Sequence, residues 1–195
     1  MSKPSFVNSD PRITFKVADA CALDIPDHSF DRVLSQLVMQ FIPGAERAIA
    51  EMRRVARSGA VVGAAVWDTR GGLVINRMFF DTAAMLDPKA NARRAIHYTR
   101  PMTRPGELRK AWLAAGFNDV VETSLCIRME FASFDDYWAP CDGKDGPLAD
   151  YVATLNAADR SRLRDALSLA YLDGEIDGPR SYAAIAWAVK GVAPD

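Results

Sequence analysis

The chain has 195 residues, 49% of them hydrophobic and 25% charged. That is enough sequence for one domain with a buried core, and the proportions exclude a disordered, collagen-like or disulfide-stapled chain. Twenty-four Lys and Arg against 25 Asp and Glu give a net charge of -1, so no overall basic field exists to hold nucleic acid or an anionic membrane, and neither is expected as a partner. Cys21, Cys126 and Cys141 are odd in number and form no C-x-x-C pair, which argues for reduced thiols. Met1 to Arg12 is polar, and no run approaches the roughly 18 apolar residues of a membrane span. A soluble, cytoplasmic protein is the expectation.

Ile13 to Ala20 is rich in β-branched and aromatic residues and reads as a strand closed by Asp19. Leu23 to Asp31 holds a proline, three aspartates and a serine, and reads as a loop anchored by Ile25 and Phe30. Arg32 to Ser35 reads as a second strand, followed by a loop that stops at Pro43-Gly44. Ala45, Ala48, Ile49, Met52, Val55 and Ala56 then recur at helical spacing, with Glu46, Arg47, Arg53 and Arg57 largely on the other face. Gly59 is expected to end this helix in a left-handed cap. The eight small or apolar residues from Ala60 to Trp67 suit a strand buried on both faces, so residues 31–68 read as a βαβ unit.

Gly71 to Leu86 reads as a further helix. Thr103 is expected to cap another, with Pro105 in its first turn, Leu108, Ala111, Trp112 and Ala115 on its buried face and Gly116 at its end. Val120 to Phe131 and Tyr182 to Val189 read as strands. Between them Phe134 to about Leu172 is polar and helical, an insertion rather than part of a sheet.

Taken together, Val17-Ala18-Asp19-Ala20, Leu23-x-Ile25-Pro26-Asp27-x-Ser29-Phe30-Asp31, the strand ending at Ser35, Glu51-Met52-x-Arg54-Val55-x-Arg57-x-Gly59 and the strand to Trp67-Asp68 resemble the class I S-adenosylmethionine-dependent methyltransferases. The likeness is to the branch that methylates small molecules, including the ubiquinone and menaquinone methyltransferases. It implies an α/β, Rossmann-like fold with sheet order 3-2-1-4-5-7-6, in which Ile13–Ala20, Arg32–Ser35 and Ala60–Trp67 are strands 3, 4 and 5.

Strands 1 and 2 have no counterpart. The twelve residues before Ile13 contain no glycine, so the glycine-rich turn that lets backbone approach the cofactor is missing. The expected architecture is a single partial domain over residues 1–195. Its mixed sheet core spans 13–131 and 181–191 and ends in an antiparallel strand pair, with a helical cap at 132–180. The fourth strand is left as an exposed edge, and pairing with a second copy is one way to cover it.

The resemblance implies S-adenosylmethionine as cofactor and a small-molecule methyl acceptor. Asp19 and Ala20 match the position that meets the adenine, and Ser35 the position near the methionine part. Methyl transfer is an in-line displacement and needs no universal base, so no catalytic residue is assigned. His28, His97 and Tyr98 are candidate bases, although a histidine in a polar stretch reads first as a surface residue. Asp68 stands at the end of a strand and reads equally as a turn. Phe134, Tyr137 and Trp138 read first as a helix burying its aromatic face, and second as the wall of an acceptor pocket. A nicotinamide dehydrogenase shares the architecture but needs its own glycine-rich fingerprint. The alternative of another class is a non-catalytic, methyltransferase-like module that assembles through its bare sheet edge.

Overall fold

The computed structural model describes residues 10–195, so most of the polar lead lies outside the described residues. Among them, four strands form one mixed sheet in the order β1, β2, β4, β3. β1 (Phe30–Gln36) and β2 (Ala56–Trp67) are parallel and joined through helix α1 (Ala45–Val55). β2 pairs antiparallel with β4 (Arg180–Val192), which pairs antiparallel with β3 (Asn118–Phe131). The final strand of the chain is thus an inner one. This is the order expected for the fourth, fifth, seventh and sixth strands of the class I methyltransferase sheet.

Helices cover both faces. On one, Ala48, Ile49 and Met52 of α1 and Leu108 and Trp112 of α4 (Glu107–Ala114) pack on Val62, Ala64 and Val66 of β2. Trp112 is fully buried, donates its Nε1–H to the Val62 carbonyl at 3.1 Å and stacks on Phe117. Gly191 of β4 lies beneath this pair: a Cβ there would stand 2.8 Å from the Phe117 Cβ, so the close approach requires glycine.

On the other face lie α2 (Val74–Leu86), α3 (Ala90–Tyr98), α5 (Phe134–Trp138), α6 (Pro147–Val152) and α7 (Ala157–Leu172). Their core gathers Phe79, Phe80, Tyr137, Leu167 and Tyr171 over Ala184 of β4. Tyr137 stacks on Tyr171 and donates its hydroxyl to the Ile75 carbonyl. Phe134, Tyr137 and Trp138 are all buried. They are core, as the first reading of this cluster had it.

Several expectations need correction. Residues 13–20 are not a strand: Asp19 makes one isolated bridge to Ala22 and no ladder includes the rest. β-propensity is satisfied only when a neighbouring strand supplies partners for the backbone, and β1 has its one strand neighbour, among the described residues, in β2. Gly59 is left-handed (φ +73°) but does not end α1, which stops at Val55. It sits inside β2, where the register slips between the Phe30–Ala56 and Arg32–Val61 pairs. A left-handed glycine serves a bulge as well as a helix end.

Further on, Thr103 caps no helix. It donates to the Arg100 carbonyl, and Gly106 (φ +81°) occupies the cap position before α4. α2 begins at Val74 rather than Gly71. Helix α3 was not anticipated, and His97 within it is buried rather than at the surface, with 3% exposure.

Two sequence motifs turn out to be one device. Arg54, near the end of α1, donates to the Leu23 and Ile25 carbonyls, to Asp27 and to Glu51. Glu51 also accepts from the Leu23 N–H at 2.7 Å. The Arg54 guanidinium and then that amide hold the Glu51 carboxyl down to about 2. The loop at 23–27 is therefore held to α1 chiefly by a cation rather than by its apolar residues. Arg54→Met is expected to strip amide-exchange protection from residues 22–30 while leaving the peptides of β2 and β4 protected. Equal loss across the sheet would refute a local clamp.

Candidate functional site at the carboxyl ends of β1 and β2

In a sheet with parallel strands and helices on both faces, ligands collect outside the carboxyl ends of those strands. Here that edge comprises Ser35 to Phe41 after β1 and Trp67 to Gly72 after β2. Leu37 leaves β1 in a left-handed conformation (φ +58°), unusual for a branched side chain, while its N–H still donates to the Ala65 carbonyl. The kink turns the chain out of the sheet into a short 3-10 turn, Met39–Phe41. After β2, Asp68 accepts from the N–H groups of Arg70 and Gly71 through one carboxylate oxygen. Asp68 is thereby a turn residue. Gly72 closes the turn where a Cβ would lie 2.5 Å from Ile185 of β4.

Several buried polar atoms at this edge and in the segment above it lack a hydrogen-bond partner among the described residues: Ser35 Oγ, Gln40 Oε1, Thr69 Oγ1, His97 Nδ1 and Arg100 Nε. Buried polar groups are nearly always paired, so such a set marks a place prepared for other partners. His97 approaches Asn76 of α2 through its other nitrogen at 3.4 Å and lies against the Phe80 ring. Burial first, and the neighbouring Arg100 charge second, push the imidazole down to about 4, so it is neutral in the folded protein. Arg100 lies over the Phe41 ring at 4.3 Å from the centroid. Tyr98 is raised to about 12, chiefly by burial and then by Asp81, and is no base near neutrality.

Of the residues singled out from sequence, Ser35 stands at this edge opposite Ala64 of β2. Asp19 and Ala20 are exposed, and one Asp19 oxygen accepts from the Cys21 N–H. The thiol of Cys21 reaches the Gly44 carbonyl at 3.6 Å, which places this turn beside the start of α1. The loop after β1 runs between the two groups, and no hydrogen bond joins Asp19 or Ala20 to Ser35 among the described residues. His28 lies elsewhere, its Nδ1 3.2 Å from the Ala56 carbonyl at the start of β2. Sequence reasoning missed Gln40, Thr69, Asn76 and Arg100. They are ordinary residues in polar stretches and only folding gathers them.

An open groove of about 580 Å3 between α1 and α4, lined by Ile49, Ala50, Arg53, Ala111, Ala114 and Ala193, lies at the opposite end of β2. It is remote from the edge where the unpartnered atoms collect. Among the described residues no cluster of His, Cys, Asp and Glu is suited to a metal ion, and no helix is long and apolar enough to cross a membrane.

Comparison with known proteins bears on the first third of the chain and on the fold. Residues 2–63, which contain β1, α1 and the loop motifs, match a family described as methyltransferase domain. The phosphatidylethanolamine N-methyltransferase of Cereibacter sphaeroides is 38% identical over 53 residues, which are 27% of this chain and 26% of that protein. Among solved structures, a Bacillus halodurans chain described as a methyltransferase superimposes with a TM-score of 0.53 at 15% identity, over 94% of this chain and 79% of that one. The chain thus carries a segment that matches the methyltransferase domain and shares the fold of a solved methyltransferase.

A Haemonchus contortus phosphoethanolamine N-methyltransferase, solved with phosphomonomethylethanolamine and S-adenosylhomocysteine, gives 0.51 at 14% identity over 96% of this chain and 38% of its own. At such identities the solved methyltransferases speak for the fold. The matched stretch spans about a quarter of the curated relative's length.

Proposed function

We propose that the chain serves S-adenosylmethionine-dependent methyl transfer to a small-molecule acceptor. The observation that carries this reading is the buried, unpartnered Ser35 hydroxyl at the carboxyl end of β1, within the stretch that matches the methyltransferase domain. When bound, the cofactor supplies a methyl group on a sulfonium.

The residues present fit part of that group. In this reading the Ser35 hydroxyl meets the methionine end, the Asp19 carboxylate accepts from the adenine amino group and the Ala20 N–H donates to the ring. Asp19 keeps one oxygen outside its own turn, consistent with that role. The displacement needs an aligned and desolvated acceptor rather than a strong base.

A second reading is favoured by a specific observation. β1 is an edge strand, and its Leu34 is 77% exposed, with Phe30, Val38 and Phe41 also exposed nearby. An uncovered edge with exposed apolar side chains invites pairing with another chain. In this reading the protein is a non-catalytic module that assembles through β1.

Calorimetric titration of the 195-residue protein with S-adenosylhomocysteine, alongside its mass in solution, separates the two. Micromolar binding supports methyl transfer. An oligomer that binds nothing, and that Leu34→Lys converts to a folded monomer, supports the assembly module instead. A folded monomer that binds nothing refutes both.

A further inference from the structure

Arginine placement singles out one residue. Arg54, Arg94, Arg164 and Arg180 are each half-buried, and each is held by a carboxylate: Glu51 with Asp27, Asp81, Asp135 and Glu175 respectively. Arg100 is also half-buried but, among the described residues, has no oxygen partner. Its Nε–H is shut away from water, and its guanidinium rests on the Phe41 ring. Burial lowers the pKa of Arg100, although an arginine stays charged at any pH of interest. An aromatic face offsets part of the desolvation but accepts none of the guanidinium's planar, directional N–H bonds. A ligand with two oxygens on one centre satisfies that fork through paired hydrogen bonds.

A neighbour suits the same ligand. His97, three residues before Arg100, is neutral and carries a ring nitrogen without a partner; in the tautomer protonated there, Nδ1–H is a further donor. No carboxylate is bonded to Arg100, so an incoming anion meets attraction uncompensated by a resident acid. The side chains stand over the carboxyl edge of β1 and β2, where an acceptor would lie.

We propose that Arg100, seated on Phe41 with His97 nearby, is the subsite that recognises an anionic oxygen pair, a carboxylate or phosphate, on the molecule that this chain methylates. This deepens the methyl-transfer reading and rests on it for the word acceptor. The recognition itself requires no cofactor, so the two are separable.

The test is nuclear magnetic resonance of the arginine Nε–H groups and histidine rings of the full chain, titrated separately with inorganic phosphate, diethyl phosphate and acetate. A saturable shift of the Arg100 and His97 signals is expected with at least one of the three. The arms distinguish a free phosphate, a phosphodiester of the lipid-headgroup type and a carboxylate. Arg100→Gln is expected to weaken the His97 response by about tenfold or more, and Arg100→Lys, which keeps a point charge without the fork, by less.

Arg100 and His97 signals that do not move, or that move only in step with the exposed arginines in linear proportion to salt, overturn the subsite. So does an unchanged His97 response in a folded Arg100→Gln protein. An anion response that persists where S-adenosylhomocysteine fails to bind defeats the methyl-transfer reading while leaving the anion site standing.

Discussion

Trp112→Ala is expected to cost about 4–5 kcal/mol, the upper part of the range for deleting a fully buried aromatic side chain. The indole is the largest fully buried side chain of the protein, and its removal opens a cavity between α4 and β2. The Val62 carbonyl also loses the Nε1–H donor at 3.1 Å, and Phe117 loses its stacking partner. Domains of ordinary stability hold only ~5–15 kcal/mol in reserve, so this one change removes much of the margin. Urea denaturation should show a large fall in midpoint with the slope preserved. Trp112→Phe keeps most of the packing, and loss of the hydrogen bond alone should cost it about 1–2 kcal/mol. An alanine variant within about 1 kcal/mol of the parent would mean that α4 is not an essential wall of this core.

Acid should weaken the fold in a window set by His97. The folded imidazole titrates at about 4, lowered first by burial and then by Arg100, against an ordinary value of 6.5. Between these pH values the unfolded chain binds the proton and the folded one does not. The stabilisation is therefore complete above about 6.5 and declines as pH falls toward about 4. With allowance for partial access of solvent, the loss across the window is about 2–3 kcal/mol.

Denaturation at pH 7.5, 6, 5 and 4.5 should trace this decline, and His97→Gln should flatten it. Glu51 acts lower down: its carboxyl, held at about 2 by Arg54, gives a contribution present above the ordinary carboxylate range and lost as pH falls through 2. Stability that is level from pH 7.5 to 5 would show that His97 becomes charged at no cost, contrary to its buried position.

The β1–α1–β2 unit was legible because its hydrophobic period changes from strand to helix and back within forty residues, with Pro43-Gly44 as punctuation. The β3–β4 pair was legible for a similar reason, as two apolar runs of strand length. Where pattern misled, the determinant lay outside the local sequence. Residues 13–20 have strand composition and no ladder. Gly59 announced a left-handed residue without saying whether helix or bulge required it. Helix α3 was invisible because only Ala90 and His97 of its nine residues are buried, too few for an apolar stripe.

Of the candidate site, the position of Ser35 near the end of β1 was legible from the motifs around it. Arg100 and Gln40 were not, because an arginine without a carboxylate is recognisable only once every other half-buried arginine is seen to have one.

The position of β4 bears on how the chain reaches this structure. Synthesised last among the four described strands, it lies between β2 and β3. Until residue 192 is available, the N-terminal pair of parallel strands and the long β3 ribbon share no hydrogen bonds, and the alanine-rich faces meant for both helical layers are incomplete. Assembly of the four-stranded sheet must therefore wait for residue 192, which favours slow, late closure and leaves β3 and one edge of β2 unpaired meanwhile. Losing Arg180–Val192 would remove the strand that joins the two halves of the sheet, a far greater loss than trimming an edge strand.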